Sequence, residues 1–208
     1  MTKNMMLVIA TRNNGKTAEI RDLLKDFPIL IKNLNDFGPI PEAPEDGGTF
    51  DANAYQKSSL TARVLGLPAL ADDSGLCVDA LEGAPGVHSA RYAGENATDA
   101  DNCAKLLEAM KGIQNRTARF ACVLSLAVPT GAALTYEAQC EGVIMEKPVG
   151  ENGFGYDPIF YYPPLDKTFA QLTMAEKSRV SHRGKALREF KSEMENILIW
   201  IEQQGKNL

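Results

Sequence analysis

Apolar residues run unbroken from Met5 to Ala10, the pattern of a strand buried on both faces. Thr11-Arg12-Asn13-Asn14-Gly15-Lys16 interrupts the run with turn residues. Ile20, Leu23, Leu24 and Phe27 then recur at helical spacing, which predicts a helix from about Lys16 to Asp26. Ile29-Leu30-Ile31 reads as a second short strand, so a right-handed βαβ unit is the simplest topology for this segment. Residues 35–49 are rich in Pro, Gly and acidic positions and read as a loop. A helix follows from about Phe50 to Leu65, with Ala54, Leu60 and Val64 among its apolar positions.

Leu67-Pro68-Ala69-Leu70-Ala71 predicts a short buried strand that gives way to Asp72-Asp73-Ser74-Gly75. Residues 83–92 hold too much Gly and Pro for regular structure. Thr98 is a plausible N-cap for a helix from Asp99 to Lys111, with Ala100, Leu106, Leu107 and Met110 among its apolar positions. The runs Ala118 to Val128 and Ala133 to Glu146, joined by Pro129-Thr130-Gly131, predict a hairpin. Gly150 to Pro158 is glycine-rich, and Ile159-Phe160-Tyr161-Tyr162 is a short strand ended by two prolines. Ser181 caps a last helix reaching about Gln204, with an apolar stripe at Leu187, Phe190, Met194, Ile197, Leu198 and Ile201. This order predicts an α/β fold, a mixed sheet with helices on its faces.

With 208 residues, the chain suits one sizeable domain or two lobes sharing a sheet. Hydrophobic residues make up 44% and charged residues 24%, the balance of a soluble globular protein. A formal net charge of -5 argues against binding to nucleic acid or an anionic membrane through a global basic field. No segment approaches the roughly 20 apolar residues a membrane helix needs, and Met5 to Ala10 is too short for a signal peptide's apolar region. Cys77, Cys103, Cys122 and Cys140 form no Cys-x-x-Cys pair, so they are read as reduced core thiols of a cytoplasmic protein.

Four stretches carry chemistry. Asp72 and Asp73 either cap a turn completed by Ser74-Gly75 or share a hard cation such as Mg²⁺, since adjacent carboxylates otherwise repel. Thr11 to Lys16 joins a strand to a helix. It is either an ordinary turn or a phosphate site built from helix amides and Lys16. Its Gly15-Lys16-Thr17 is no Walker A motif, because Ala10 stands where that motif needs glycine. Phe154, flanked by Gly153 and Gly155 and followed by Tyr156-Asp157, either stacks on a nucleobase or belongs to the core. Lys177 to Lys185 concentrates basic residues including Arg179, His182 and Arg183, either as a solvated face or opposite an anionic ligand. The acidic loop Glu45-Asp46-Gly47-Gly48 gains meaning only if folding brings it beside Asp73.

Taken together and in this order, these stretches resemble the inosine triphosphate pyrophosphatase family, in its bacterial branch. The resemblance rests on Thr11, Asn13 and Lys16, on Ala71 to Leu76, on Gly83 to Tyr92, on Phe154 to Pro158 and on Ser181 to Gly184. It implies one elongated nucleoside-triphosphate pyrophosphatase domain over residues 1–208, with two lobes and a nucleotide cleft between them. The implied reaction is Mg²⁺-dependent hydrolysis of XTP, ITP and dITP to the monophosphate and pyrophosphate by a cytoplasmic homodimer. Residue by residue, Thr11, Arg12, Asn13, Asn14, Gly15 and Lys16 would hold the triphosphate. Asp73 would be catalytic and, with Glu45, a metal ligand, supported by Asp72. Lys57 and Ser74 would touch substrate, and Phe154, Gly155, Tyr156, Asp157, Lys177, His182 and Arg183 would line the base and sugar end.

Overall fold

Strand β1 (Met5–Ile9) pairs in parallel with β2 (Ile29–Asn33), from Met5 opposite Ile29 to Ile9 opposite Asn33. Helix α1 (Asn14–Leu24) connects them and buries Thr17, Ile20 and Leu24. The computed structural model describes residues 5–41, 43–44 and 46–205. Helix α1 begins two residues earlier than its apolar spacing predicts. The Asn13 side chain accepts from the Lys16 N–H at 3.0 Å and starts the helix there.

Helix α2 (Phe50–Leu65) has the predicted bounds, between an N-cap at Thr49 and Gly66 in the left-handed conformation. Its buried face differs from the predicted one. Ala54 is buried as predicted, but Val64 is exposed, and the rest of the face is Asn53, Ser58, Ser59, Thr61 and Ala62. Small residues let the helix lie close to its neighbours, and Ser58 Oγ meets Ser125 Oγ at 2.9 Å.

The largest departure from the sequence reading is β3 (Ala69–Val78). The strand does not stop at Ala71 but continues through Asp72-Asp73-Ser74-Gly75, with nine of its ten residues buried. The strand lies between β1, which pairs with it at Ala69 and Leu70, and β4, and this long-range pairing outweighs the local turn preference of these residues. Strands β4 (Thr117–Ala127) and β5 (Ala133–Ile144) follow as the predicted hairpin pair, then β6 (Phe160–Tyr162) and β7 (Lys167–Thr168). The seven strands form a mixed sheet in the order β2-β1-β3-β4-β5-β6-β7, parallel at β1–β2 and β1–β3, antiparallel at β5–β6 and β6–β7.

Helix α3 (Asp99–Ala109) starts at the predicted Thr98 with a full capping box. Residues 83–92 include a 3₁₀ helix over Gly86–Arg91 where only irregular chain is predicted. The last predicted helix is two, α5 (His182–Ser192) and α6 (Met194–Gly205), and α4 (Met174–Val180) precedes them unpredicted. Ser181 caps α5 through a 3.1 Å bond from the Gly184 N–H. Leu187, Phe190, Met194, Ile197 and Ile201 are buried as the stripe requires. Among the described residues no helix is long and apolar enough to cross a membrane.

The chain divides into two compact units whose boundaries fall inside β3, β4, β5 and α5. One unit comprises residues 1–73, 123–137 and 186–208, and its small apolar cluster includes Val8, Ala62, Ala69 and Ala127. The other comprises residues 74–122 and 138–185. Its core is aromatic: Phe120 lies 4.6 Å from Phe160, and Phe160 lies 4.8 Å from Phe169, centroid to centroid.

Candidate functional site

In the first unit, two lysine–aspartate pairs form around the middle of β3. Successive side chains of a strand point to opposite faces, so Asp72 and Asp73 turn away from each other. Each has its own lysine. Lys16 Nζ, from the first turn of α1, donates to Asp72 Oδ1 at 2.7 Å and to the Asp72 carbonyl at 3.2 Å. Lys57 Nζ, on α2, donates to Asp73 Oδ1 at 2.7 Å. Asn53, one helical turn before Lys57, donates to Asp73 Oδ2 at 3.3 Å. Burial pushes the Asp73 carboxyl above the usual carboxylate range, against the opposing pull of Lys57, Lys16 and the Asn53 bond.

The sequence from Thr11 to Lys16 is the entry into α1. Thr11 Oγ1 accepts from the Asn13 N–H at 3.1 Å, and Asn14 Oδ1 receives bonds from Asn33 and Asn35 at 3.4 and 3.3 Å. Arg12, Asn13, Asn14 and Gly15 are exposed. The first amides of a helix have no partner within it, which leaves the Asn14 and Gly15 N–H groups at the N-terminus of α1 to face an anion.

Glu45 lies outside the described residues. The loop after it reaches Asn53: the Gly47 N–H donates to Asn53 Oδ1 at 2.9 Å, and Asn53 in turn donates to Asp73. Among the described residues no group of three His, Cys, Asp or Glu side chains could hold a metal. Asp73 nevertheless suits a hard divalent cation. It is a carboxylate oxygen donor whose burial is not fully offset by its lysines, so further positive charge would stabilise it.

In the second unit, Phe154 is exposed at 37% while the groups around it are buried. Lys177 Nζ lies 4.5 Å from its ring centroid and the Arg183 guanidinium carbon 5.5 Å, which are cation–π distances. Asp157 Oδ2 receives Lys177 Nζ at 2.5 Å and the Phe154 N–H at 2.9 Å. Burial pushes the Asp157 carboxyl up, and Lys177 opposes the shift. Tyr156 is a core residue, with its hydroxyl donating to the Ser89 carbonyl at 2.8 Å. His182 is 4% exposed and stacks on Phe120 at 4.7 Å between centroids. Lys177 and Arg179 sit in the last turn of α4, where the helix dipole favours cations, so only His182, Arg183 and Lys185 stand against it at the start of α5. Ser74 is half-buried on β3, on the same face as Asp72.

Sequence reasoning missed Asn53, Asp99 and Cys103. Asp99 Oδ2 accepts from the Gly155 N–H at 2.7 Å, and the Cys103 thiol reaches the Gly155 carbonyl at 3.4 Å. Both residues lie one turn apart on α3, and together they hold the N–H and the carbonyl of Gly155, the residue that follows Phe154. Asn53 was open to discovery as the residue four before Lys57 on a correctly placed helix. Asp99 and Cys103 carried no such signal, because their partner is more than fifty residues away.

Known proteins match this chain over most of its length. It is 62% identical over 199 residues to the dITP/XTP pyrophosphatase of Syntrophobacter fumaroxidans, covering 96% of this chain and 86% of that one. It is 59% identical to the dITP/XTP pyrophosphatase of Desulfotalea psychrophila, covering 96% and 89%. A HAM1 protein structure from Coxiella burnetii superposes with a TM-score of 0.87 at 44% identity, over 92% of this chain and 99% of that one. Residues 7–193 match the model of the Ham1 family, and the chain belongs to that family.

Proposed function

We propose that this chain is a nucleoside-triphosphate pyrophosphatase that hydrolyses XTP, ITP and dITP to the nucleoside monophosphate and pyrophosphate, with Mg²⁺. The enzyme class rests on the family and on the names of relatives up to 62% identical. The observation that carries the chemistry is the double pairing on β3, where buried Asp72 meets Lys16 from the first turn of α1 and buried Asp73 meets Lys57 from α2.

In this reading the exposed amides of α1 and Lys16 hold phosphate oxygens and stabilise the charge that grows on the leaving pyrophosphate. Asp73 and Glu45 would hold the Mg²⁺. When bound, the ion neutralises phosphate charge and makes water more acidic. Asp73 orients the attacking water or takes its proton, and its raised proton affinity suits the second task. Lys57 fixes the Asp73 carboxylate and adds positive charge beside the reacting phosphates. Phe154 offers its exposed ring to the purine, while Asp157, Lys177, His182 and Arg183 provide donors and acceptors for base and sugar.

The base preference follows from hydrogen-bond polarity. Hypoxanthine and xanthine carry a 6-oxo acceptor where adenine carries an amino donor. Donors on His182 and Arg183 would pair with the first and leave the second unmatched, at a cost of about 1–3 kcal/mol. The family resemblance adds a cytoplasmic homodimer, which light scattering on purified protein tests.

Product analysis tests the reaction. Purified protein is incubated with ITP, and separately with ATP, with and without Mg²⁺. IMP plus pyrophosphate, dependent on Mg²⁺ and slight with ATP, is expected. IDP plus phosphate would overturn the bond assignment, and binding without turnover would make the chain a nucleotide-binding module.

A further inference from the structure

We propose that Asn53 is a positioning residue for Asp73, tying that carboxylate to the loop that carries Gly47, and that both divalent-cation affinity and turnover depend on the tie. The inference rests on the function proposed above. Asn53 is 1% exposed and divides its amide between two partners. Its Oδ1 accepts from the Gly47 N–H at 2.9 Å, and its Nδ2 donates to Asp73 Oδ2 at 3.3 Å. Lys57 holds the other oxygen of the same carboxylate at 2.7 Å. The two oxygens of Asp73 are therefore held by residues four apart on α2, which fixes the plane of the carboxylate.

The loop end of the tie is equally constrained. A Cβ at Gly47 would stand 2.7 Å from the Ala52 Cβ and 2.8 Å from Asn53 Oδ1, so the loop seats on α2 at a separation that only glycine allows. An amide has one donor end and one acceptor end in fixed geometry. Asn53 serves both partners only in the orientation seen, and an apolar residue of the same size serves neither. A buried asparagine kept for packing alone would affect stability without setting cation affinity. An outer partner that orients a metal-binding carboxylate affects both affinity and turnover, typically by about 10–100-fold.

The test uses full-length wild type, Asn53→Ala and Gly47→Ala, which attack the tie from its middle and from its loop end. Mn²⁺ binding to each protein without nucleotide is read by electron paramagnetic resonance. The kcat and KM for ITP are then measured across a Mg²⁺ series, with thermal melting as the folding control. Asn53→Ala is expected to weaken Mn²⁺ binding and lower kcat at fixed Mg²⁺ by about 10–100-fold each, with the KM for ITP little changed. Gly47→Ala is expected to move the same two quantities in the same direction, and it carries the test if Asn53→Ala does not fold. Unchanged Mn²⁺ affinity with a lowered melting temperature would overturn the proposal, as would a rise in KM alone. If wild type does not hydrolyse ITP, the functional reading fails, and the Mn²⁺ titration still decides whether Asn53 governs the Asp73 site.

Discussion

Asp72 and Asp73 are neighbours in the chain but turn to opposite faces of β3, one bonded to Lys16 and the other to Lys57, each at 2.7 Å. The separation assigns them different work. Asp73→Asn is expected to lower kcat for ITP by about 10²–10⁴-fold, the range for losing a general base. Asp72→Asn keeps an acceptor for Lys16 but weakens its hold, and is expected to raise KM more than it lowers kcat. Steady-state kinetics on both variants at saturating Mg²⁺ decides it. Equal losses of kcat would mean that the two carboxylates act as one unit.

The strand through this pair also marks where sequence reading reached its limit. Asp-Asp-Ser-Gly spells a turn in any local window, and only sheet partners far away in the chain make it a strand. Helix α2 was legible to the residue because both of its ends are written locally, Thr49 as N-cap and Gly66 as C-cap. Helix α4 escapes prediction although Thr173 and Glu176 form a capping box, because seven residues are too few to show a helical period. The candidate site divides in the same way. Lys16 and Asp73 stand out as residue types in suggestive places, whereas the stacking of His182 on Phe120 joins positions that no local pattern connects.

The four cysteines make a prediction about acid–base behaviour. All are free and buried, and burial pushes Cys103 and Cys140 up to about 11, with Cys77 raised as well. Native protein at pH 8 is expected to react negligibly with a thiol-titrating disulfide reagent, while unfolded protein reveals all four thiols. Between the ordinary value of 9.0 and about 11 the folded chain holds these protons and the unfolded chain releases them. Stability contributed by the protonated thiols is therefore complete below pH 9.0 and lost as pH rises towards 11. Denaturation midpoints measured across that window check the sign, and Cys103→Ala is expected to show a shallower fall.

Gly184 sits where α5 presses on α4, and a Cβ there would stand 1.8 Å from the Ser178 carbonyl oxygen. That oxygen is backbone and cannot swing aside. Gly184→Ala is expected to cost about 1–3 kcal/mol or more, lowering the melting temperature by roughly 2–4 °C per kcal/mol for a chain of this size. A Cβ at Gly38 would have nothing within 4 Å, so Gly38→Ala is the matched control, expected within about 0.5 kcal/mol of wild type. Calorimetry on the three proteins separates the steric cost from any general intolerance of glycine replacement.

Arg183 is the residue on which base selectivity should turn. It is 4% exposed, starts α5 beside His182, and places its guanidinium 5.5 Å from the Phe154 ring. A guanidinium only donates hydrogen bonds, so it complements the 6-oxo group of hypoxanthine and opposes the 6-amino group of adenine. Removing it takes away the matched partner for ITP and the mismatch for ATP together. Arg183→Ala is therefore expected to shrink the ratio of kcat/KM for ITP over ATP by roughly 5- to 150-fold, the equivalent of about 1–3 kcal/mol. Phe154→Ala removes stacking that any purine enjoys, and is expected to weaken both substrates alike by about 1–3 kcal/mol and leave the ratio near its starting value. Competition assays with mixed ITP and ATP read the ratio directly. A ratio unmoved by Arg183→Ala, or moved as far by Phe154→Ala, would place selectivity elsewhere than on the arginine.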